Sequence, residues 1–253
     1  AALIFRPSSW GNSPILKLED VEYYEDDFVF AEQNLLEIYD FGFVRGTADN
    51  ALTGPNRIVL TESAATKYFG TEDPVGKRLR LNDFVDLEVT GVIRDLPHNT
   101  HLQFDMIGSF DTFKSFFNDQ TFFDTQWVWV AAWLYFTVDN EEDVQKIRAG
   151  LPGFIKKHYP STLTDTGVAL TVQKADDIHL TSNIELEFEA NGNIQHVYLF
   201  SLIALLILLI AVPFIDRRRE RRLLRRPVAV IASLIVIASM GIEEINRDRD
   251  KFL

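Results

Sequence analysis

The chain has 253 residues, is 47% hydrophobic, carries a formal net charge of -12 and contains no cysteine. The apolar content excludes an intrinsically disordered chain, and the lack of thiols excludes disulfides, thiolate metal sites and a cysteine nucleophile. Because most of the chain is acidic and would repel phosphates, we expect no nucleic-acid partner. No basic stretch leads into a long apolar run at the start, so we expect that a leader has been removed or that the chain begins inside a longer one.

Residues 1–196 predict a mixed, α+β domain, and its elements begin with a strand that runs into a short helix over residues 28–44. Residues 56–70 predict a second strand and helix, with Thr61 or Ser63 as the N-cap and Gly70 at the end of the helix. Two alternating strands follow, RLRLND and DLEVTGVIRDL, and Gly91 marks a bulge in the second.

The rest of this domain predicts further strands and one long helix. DLPHNTHLQFDMIGSF reads as a loop and then a strand, and residues 127–138 are apolar on both faces, which is typical of a central strand. Residues 140–159 predict an amphipathic helix with Asn140 as its N-cap, and Pro152 could divide that helix into two pieces. The alternation in GVALTVQKADDIHL predicts one more strand.

The C-terminal part of the chain is apolar and predicts one or two transmembrane helices. Residues 197–215 hold no charge and would cross most of a hydrocarbon core about 30 Å thick. A buried core helix is the alternative, although such a helix seldom lacks a polar stripe. Residues 228–242 are also uncharged and predict a second span or an interfacial segment. Residues 243–253 form a polar tail.

An arginine-rich turn, residues 216–227, lies between these two apolar runs. Its seven arginines are Arg217, Arg218, Arg219, Arg221, Arg222, Arg225 and Arg226. Cationic residues beside membrane spans are retained on the cytoplasmic side, so the turn predicts that the acidic domain lies outside the cytoplasm. The same arginines suit anionic lipid headgroups. A nucleic-acid arm is disfavoured, because no aromatic residue for base stacking is interleaved with them.

Candidate catalytic and metal-binding residues are few. His98 and His101 have the spacing of a helical ligand pair, but Pro97 and the polar neighbours place them in a loop. His179 follows two aspartates that could orient it, although a hydrogen-bonded structural histidine is the simpler interpretation. The motifs GxxxxGK[ST], GxGxxG, GxSxG and HExxH are absent from the sequence. We therefore expect no enzyme, no cofactor and no metal.

A run of acids near the N-terminus is interpreted as a solvated face or as the guard of an edge strand. Its members are Glu19, Asp20, Glu22, Glu25, Asp26 and Asp27. Most of the abundant aromatic residues are expected in the core, and any excess would suit a surface for protein contact.

Three stretches of the sequence resemble a known family. They are VLTESAATKYFGTEDPVGKRLRLND (59–83), DLEVTGVIRDLPHNTHLQFDMIGSF (86–110) and DIHLTSNIELEFEANGNIQHVYLFSLIALLILLIA (177–211). With WGNSPIL (10–16) and residues 28–46, they resemble the extracytoplasmic core of MacB/FtsX-type ABC-transporter permeases over about residues 5–211. The resemblance implies a periplasmic or extracellular α/β module, anchored in the bacterial inner membrane, that performs no chemistry. It also implies pairing with a second copy and coupling to ATP hydrolysis by a separate domain.

The resemblance to these permeases stops at the arginine-rich turn. There the family continues with a coupling segment like NLSTARSxxRxxEVGIRK, whereas residues 212–241 are similar to the C-terminal part of cytochrome b, without its haem or quinone residues. Two functions therefore stay open. The first is a non-enzymatic domain of an ABC-permease-like protein with other membrane-protein subunits as partners; the missing coupling segment weighs against an ATPase subunit as one of them. The second is an accessory structural subunit of a large membrane complex, for example an energy-transducing one.

Overall fold

The computed structural model describes residues 1–11, 13–98, 100–118, 121–125, 132–165, 167–181, 188 and 194–216. The chain divides into two compact units, Ala1–Gly192 and Asn193–Leu253.

The described part of the first unit contains one ten-stranded sheet. The strands are β1 (Ala2–Phe5), β2 (Ile15–Leu18), β3 (Val21–Tyr24), β4 (Phe28–Ala31), β5 (Phe43–Gly46), β6 (Arg57–Thr61), β7 (Arg78–Leu81), β8 (Val85–Ile93), β9 (Met106–Ser109) and β10 (Ala132–Tyr135). Their order is β10-β1-β4-β9-β6-β8-β7-β2-β3, and β5 also pairs with β8. The β4–β9 and β6–β8 pairs are parallel and the others are antiparallel.

The helices of the first unit are mostly short. They are a 3-10 turn (Pro7–Trp10), α1 (Leu35–Ile38), α2 (Glu62–Phe69), α3 (Phe110–Lys114), α4 (Phe122–Thr125), α5 (Glu141–His158), α6 (Ser161–Thr164) and α7 (Ala175–Thr181). The second unit contributes α8 (Ile194–Asp216).

Both faces of the central strands are buried, and each face has its own hydrophobic cluster. On one face, Phe30 and Leu60 pack in a cluster that includes Tyr68 of α2 and Phe113 of α3. On the other face, the alternate residues of the same strands join α1 and the segments around residues 51–52 and 102–104. Because successive strand side chains point to opposite faces, a run such as Phe28–Ala31, buried throughout, fits a central strand. The predicted mixed α+β domain is confirmed.

The helix α2 begins and ends where the sequence predicts. The Thr61 hydroxyl accepts a hydrogen bond from the Ala64 amide at 3.2 Å, and Gly70 follows the helix with φ 60. The other cap candidate, Ser63, instead donates its amide and its hydroxyl to the Asp95 carboxylate, at 2.9 Å and 2.7 Å. Two acceptors therefore satisfy two of the free amides of the first turn, those of Ser63 and Ala64.

The predicted bulge near Gly91 is also present. The register of β8 against β6 shifts between Ile58 and Val59, so Thr90 is the extra residue. The Thr90 hydroxyl lies 2.8 Å from the Ala51 carbonyl and 3.1 Å from the Ile58 carbonyl. A Cβ on Gly91 would lie 2.6 Å from the Phe43 ring. Glycine is therefore required here by close packing rather than by a special dihedral angle.

Two strand predictions need correction. The apolar stretch 127–138 contains the strand β10, but in the order of the described strands β10 lies at one end and not in the centre; residues 127–131 lie outside the described residues. Leu134 of β10 is 60% exposed, so apolar character on both faces did not imply burial on both. In GVALTVQKADDIHL, the described residues before Ala175 form no strand and ADDIHL lies in the helix α7. Two aspartates in its first turn explain this, because negative charge stabilises a helix N-terminus.

The long helix α5 is one piece, not two. Asn140 caps it as predicted, since its side chain accepts a hydrogen bond from the Asp143 amide at 3.0 Å. The helix then continues through Pro152 to His158. Acids in its first turn and bases in its last turn complement the helix dipole and help to offset the lost hydrogen bond at proline.

The side chains of α8 are described for residues 198–211, and none of them is buried. Within the described part of the chain, no helix combines the length and the apolar character that a membrane crossing requires.

Candidate functional site

The acidic run of residues 19–27 begins in the turn of the outermost hairpin of the described sheet, continues through its second strand and ends just after it. β2 and β3 pair in antiparallel register from Ile15 opposite Tyr24 to Leu18 opposite Val21. Glu19 has φ 55, so the turn between them uses a left-handed residue. β3 is the last strand in the order, which agrees with the interpretation of the acids as an edge-strand guard. The hairpin itself was missed, although the alternation in ILKLEDVEYY and its acidic turn were visible signals.

Glu25 departs from that interpretation because it is buried. Its side chain is 6% exposed, and its Oε1 lies 2.6 Å from Lys67 Nζ. The Tyr68 hydroxyl donates a hydrogen bond to the same oxygen. Lys67 Nζ also lies 5.0 Å from the centroid of the Tyr23 ring. These contacts connect the end of the hairpin to α2 through a charge-assisted network.

The electrostatics of this network favour a fixed structure over proton transfer. Burial, and then the hydrogen bond to Glu25, raise the pKa of Tyr68 above its ordinary value. Burial also raises the pKa of the nearby Asp105, and the charges of Asp27 and Glu25 add to that effect. Tyr68 therefore keeps its proton at neutral pH and acts as a hydrogen-bond donor to Glu25.

The histidines with described side chains lie in different surroundings. His98 is exposed in a turn, as predicted, and His101 is half-buried with its ring 5.6 Å from the Tyr135 ring. His158 lies at the end of α5, 4.7 Å from the Phe154 ring. The side chain of His179 lies outside the described residues. Among the residues that the structure describes, no three potential His, Asp or Glu ligands are grouped to hold a metal ion.

The described part of the first unit includes two clefts with mixed linings. One has a volume of about 390 Å³ and is lined by Tyr39, Phe41, Gly42, Arg94, Asp95 and Leu102 among others. Its Asp95 carboxylate accepts both hydrogen bonds from Ser63, which lower the pKa of Asp95 below its usual range. The other, about 310 Å³, lies beside α5 and is lined mainly by Leu151, Ile155, Lys156 and residues 168–170. Mixed aromatic, aliphatic and cationic linings of this kind suit contact with other molecules.

The arginines predicted to set membrane topology all lie outside the described residues. Arg217, Arg218, Arg219, Arg221, Arg222, Arg225 and Arg226 follow the described part of α8. Their role, and the second span over residues 228–242, therefore remain predictions from the sequence.

Three solved structures are similar to this chain. One is a domain assigned to a permease protein from Porphyromonas gingivalis, at 22% identity and a TM-score of 0.50, covering 66% of this chain and 67% of that chain. The periplasmic region of MacB from Actinobacillus actinomycetemcomitans is 14% identical, with a TM-score of 0.40 and coverage of 65% and 91%. The extracellular domain of the noncanonic ABC-type transporter YknZ from Gram-positive bacteria is 14% identical, with a TM-score of 0.41 and coverage of 58% and 72%. No curated protein matches in sequence.

The match to a protein family covers more than half of the chain. Residues 10–153 fit the family model described as the MacB-like periplasmic core domain. This region runs from the turn before β2 into the middle of α5 and includes most of the sheet and both of its buried faces. The chain therefore belongs to the family of MacB-like periplasmic core domains, the extracytoplasmic modules of ABC-permease-like proteins.

Proposed function

We propose that this chain is a membrane-anchored, non-enzymatic domain that works outside the cytoplasm by protein contact and conformational coupling. The observation that carries the proposal is the family match over residues 10–153. The buried faces of the sheet support it, because they leave the sheet edges, the hairpin and the clefts as the surfaces for function. A rigid sheet with exposed ends can transmit force between a partner and a membrane anchor.

The anchor in this proposal is the apolar run 197–215. The sequence holds no charge over these residues. The large apolar side chains described in α8 are exposed at consecutive positions, Leu205, Leu206, Ile207, Leu208 and Leu209. Consecutive positions point in all directions around a helix, and an all-apolar surface of this kind is stable in lipid rather than in water. In the sequence, the uncharged run extends beyond the described side chains of residues 198–211 at both ends.

The arginine-rich turn orients the anchor. Seven arginines directly after the apolar run favour retention on the cytoplasmic side of a bacterial inner membrane. The acidic domain then lies on the periplasmic or extracellular side, and the arginines are available to anionic headgroups. If residues 228–242 also span, the turn is the short loop of a helical hairpin.

The residues of the chain support the non-enzymatic part of the proposal. There is no cysteine and no recognisable nucleotide, nucleophile or zinc motif in the sequence. The buried ionisable cluster at Glu25 is occupied by its own Lys67 and Tyr68 contacts, which is typical of a structural network rather than of a reactive site.

A second candidate function is favoured by the sequence after the anchor. Residues 212–241 do not continue like a permease and are similar to the end of cytochrome b, which suits an accessory structural subunit of a larger membrane complex. Purification of the affinity-tagged chain in mild detergent distinguishes the two. Co-purifying ATPase subunits support the permease function, and haem- or pigment-bearing subunits support the accessory function. If the chain purifies alone and catalyses a reaction, both are wrong.

A further inference from the structure

In the described part of the sheet, no strand pairs with the outer side of β3, and the register of β3 against β2 defines which groups face that side. β3 pairs with β2 on one side, where Leu16 lies opposite Tyr23 and Leu18 lies opposite Val21. The Glu25 amide donates to the Pro14 carbonyl at 2.9 Å. Because alternate residues of an antiparallel pair exchange hydrogen bonds, Val21 and Tyr23 bond to β2. The amides and carbonyls of Glu22 and Tyr24 therefore point away from the sheet.

The two residues that carry these outward groups are exposed. Tyr24 is 72% exposed, and the Glu22 side chain is 45% exposed. Among the described residues, the amides and carbonyls of Glu22 and Tyr24 have no hydrogen-bond partner. A strand that lies alongside them would gain main-chain hydrogen bonds at two successive outward positions, which is how extended peptides add to sheets.

Contacts with α2 hold the hairpin in place, so the outer edge of β3 is already ordered before a partner strand is added. The ring of Tyr23 packs edge-on against Tyr68 of α2, with centroids 4.9 Å apart. Glu25, directly after the strand, is held by Lys67 and Tyr68. An ordered edge loses less conformational entropy when a partner binds.

The charge around this edge selects the partner. Glu19 and Asp20 precede β3, Glu22 lies within it, and Asp26 and Asp27 follow it. Glu22 is bonded to Lys17 at 2.9 Å, and that lysine is the one cation of the hairpin. A second copy of this chain, paired through the same edge, would place these acids opposite each other, which is destabilising. A strand with Lys or Arg at alternate positions would meet opposite charges instead.

We propose that β3 is a docking edge for an extended, cationic segment of a partner protein, which adds to the sheet beside Glu22 and Tyr24. The inference rests on the proposed function, because it assigns one surface to the protein contacts of the extracytoplasmic domain. Main-chain hydrogen bonds would hold the segment, and the acids around the edge would select for its positive charge.

Proline at position 24 tests the main-chain part of the proposal. Because the Tyr24 amide points away from β2, Tyr24→Pro removes an outward donor and leaves the β2–β3 ladder intact. Tyr24→Thr removes the ring but keeps the amide and is the matched control. The probe is a fluorescein-labelled TKVKVKT peptide, with TEVEVET as its acidic counterpart. Binding to the full chain in detergent is measured by fluorescence anisotropy.

We expect the cationic peptide to bind wild type and Tyr24→Thr, and to bind Tyr24→Pro about tenfold more weakly, as for the loss of one hydrogen bond of about 1.4 kcal/mol. Glu22→Lys should also weaken binding, and the acidic peptide should not bind. A TKVKVKT peptide N-methylated at alternate residues should bind wild type poorly, which tests the same hydrogen bonds without changing the protein. Equal binding of the methylated and unmethylated peptides, or equal binding by the Pro and Thr variants, would show charge attraction alone and overturn the proposal.

Two other outcomes also overturn it. If wild type is dimeric and Tyr24→Pro is monomeric, the edge is occupied by a second copy. If partner subunits co-purify equally with wild type and Tyr24→Pro, the assignment of β3 as the docking edge is wrong, and the proposed contact function stands. If no partner co-purifies with wild type, the result counts against the proposed function itself.

Discussion

Replacing Lys67 with methionine removes the cation that faces the buried carboxylate of Glu25 and keeps most of the side chain's length. In the native chain, the two charged groups are 2.6 Å apart, with side-chain exposures of 40% for Lys67 and 6% for Glu25. In the variant, Glu25 would keep the hydrogen bond from Tyr68 but lose its counter-charge in a poorly hydrated position. We therefore expect Lys67→Met to destabilise the first unit.

The magnitude follows from the burial of the pair. Exposed ion pairs contribute about 0–1 kcal/mol, and removal of one partner from a fully buried pair costs about 3–5 kcal/mol. Because Glu25 is buried and Lys67 is half-exposed, the loss of stability in Lys67→Met should lie between these limits, at about 2 kcal/mol. For a unit of this size, that corresponds to a fall in Tm of roughly 4–8 °C. Lys77→Met is the matched control, since Lys77 pairs with an exposed Glu72, and it should leave Tm nearly unchanged.

The assay is thermal unfolding of the full chain in detergent, followed by tryptophan fluorescence. Glu25→Gln combined with Lys67→Met should recover part of the loss, because the uncompensated buried charge is then gone, and a double-mutant cycle measures that recovery. Equal shifts for Lys67→Met and Lys77→Met, or a double variant that loses the sum of the two single losses, would refute the reasoning about the buried charge.

Three further predictions concern the fold and the anchor. Gly46→Ala should lower the free energy of unfolding by at least about 2 kcal/mol, because Gly46 has φ 69 and an added Cβ would lie 2.4 Å from the Thr90 carbonyl oxygen. Gly54→Ala is the control and should cost less, because Gly54 has φ 83 but an added Cβ there would meet open space. Equal losses of stability in urea unfolding would contradict this. Asp95→Asn should lower stability at pH 7 by about 0.5 kcal/mol. The folded pKa of Asp95 is lowered, so its contribution is present above the ordinary carboxyl pKa of about 4 and disappears as the pH falls through the folded value; a difference between the two proteins that persists in acid would contradict the assignment. Neutral residues in place of the seven arginines of the turn should yield mixed orientations in protease-protection assays without changing the Tm of the first unit.

The central strands and α2 could be predicted because their signals are local. The cap at Thr61 and the stop at Gly70 depend on residues close in sequence, and Gly91 itself marks the bulge, although Phe43, whose ring requires a glycine there, is distant in sequence. The position of a strand in the sheet depends on distant partners instead. The sequence of residues 127–138 therefore predicted a central strand, although its strand β10 pairs with β1 at the end of the described strand order.

The hairpin and its buried network show a second limit. Glu25 is one of six acids within nine residues, and only the approach of α2, more than forty residues later, makes it different from its neighbours. Charge patterning alone predicts a solvated run in such a case. The helix α7 was missed for a related reason, because an alternating apolar pattern outweighed the two aspartates that favour a helix start.

Cysteine labelling of the otherwise cysteine-free chain tests the proposed location most directly. Single cysteines would replace Lys157, which is exposed at the end of α5, and Arg219, within the arginine-rich turn. With a membrane-impermeant thiol reagent on intact spheroplasts, the cysteine at position 157 should be labelled, and the one at position 219 should be labelled only after the membrane is permeabilised. Labelling of position 219 in intact spheroplasts, or protection of position 157, would contradict a membrane-anchored domain on the outer side of the membrane.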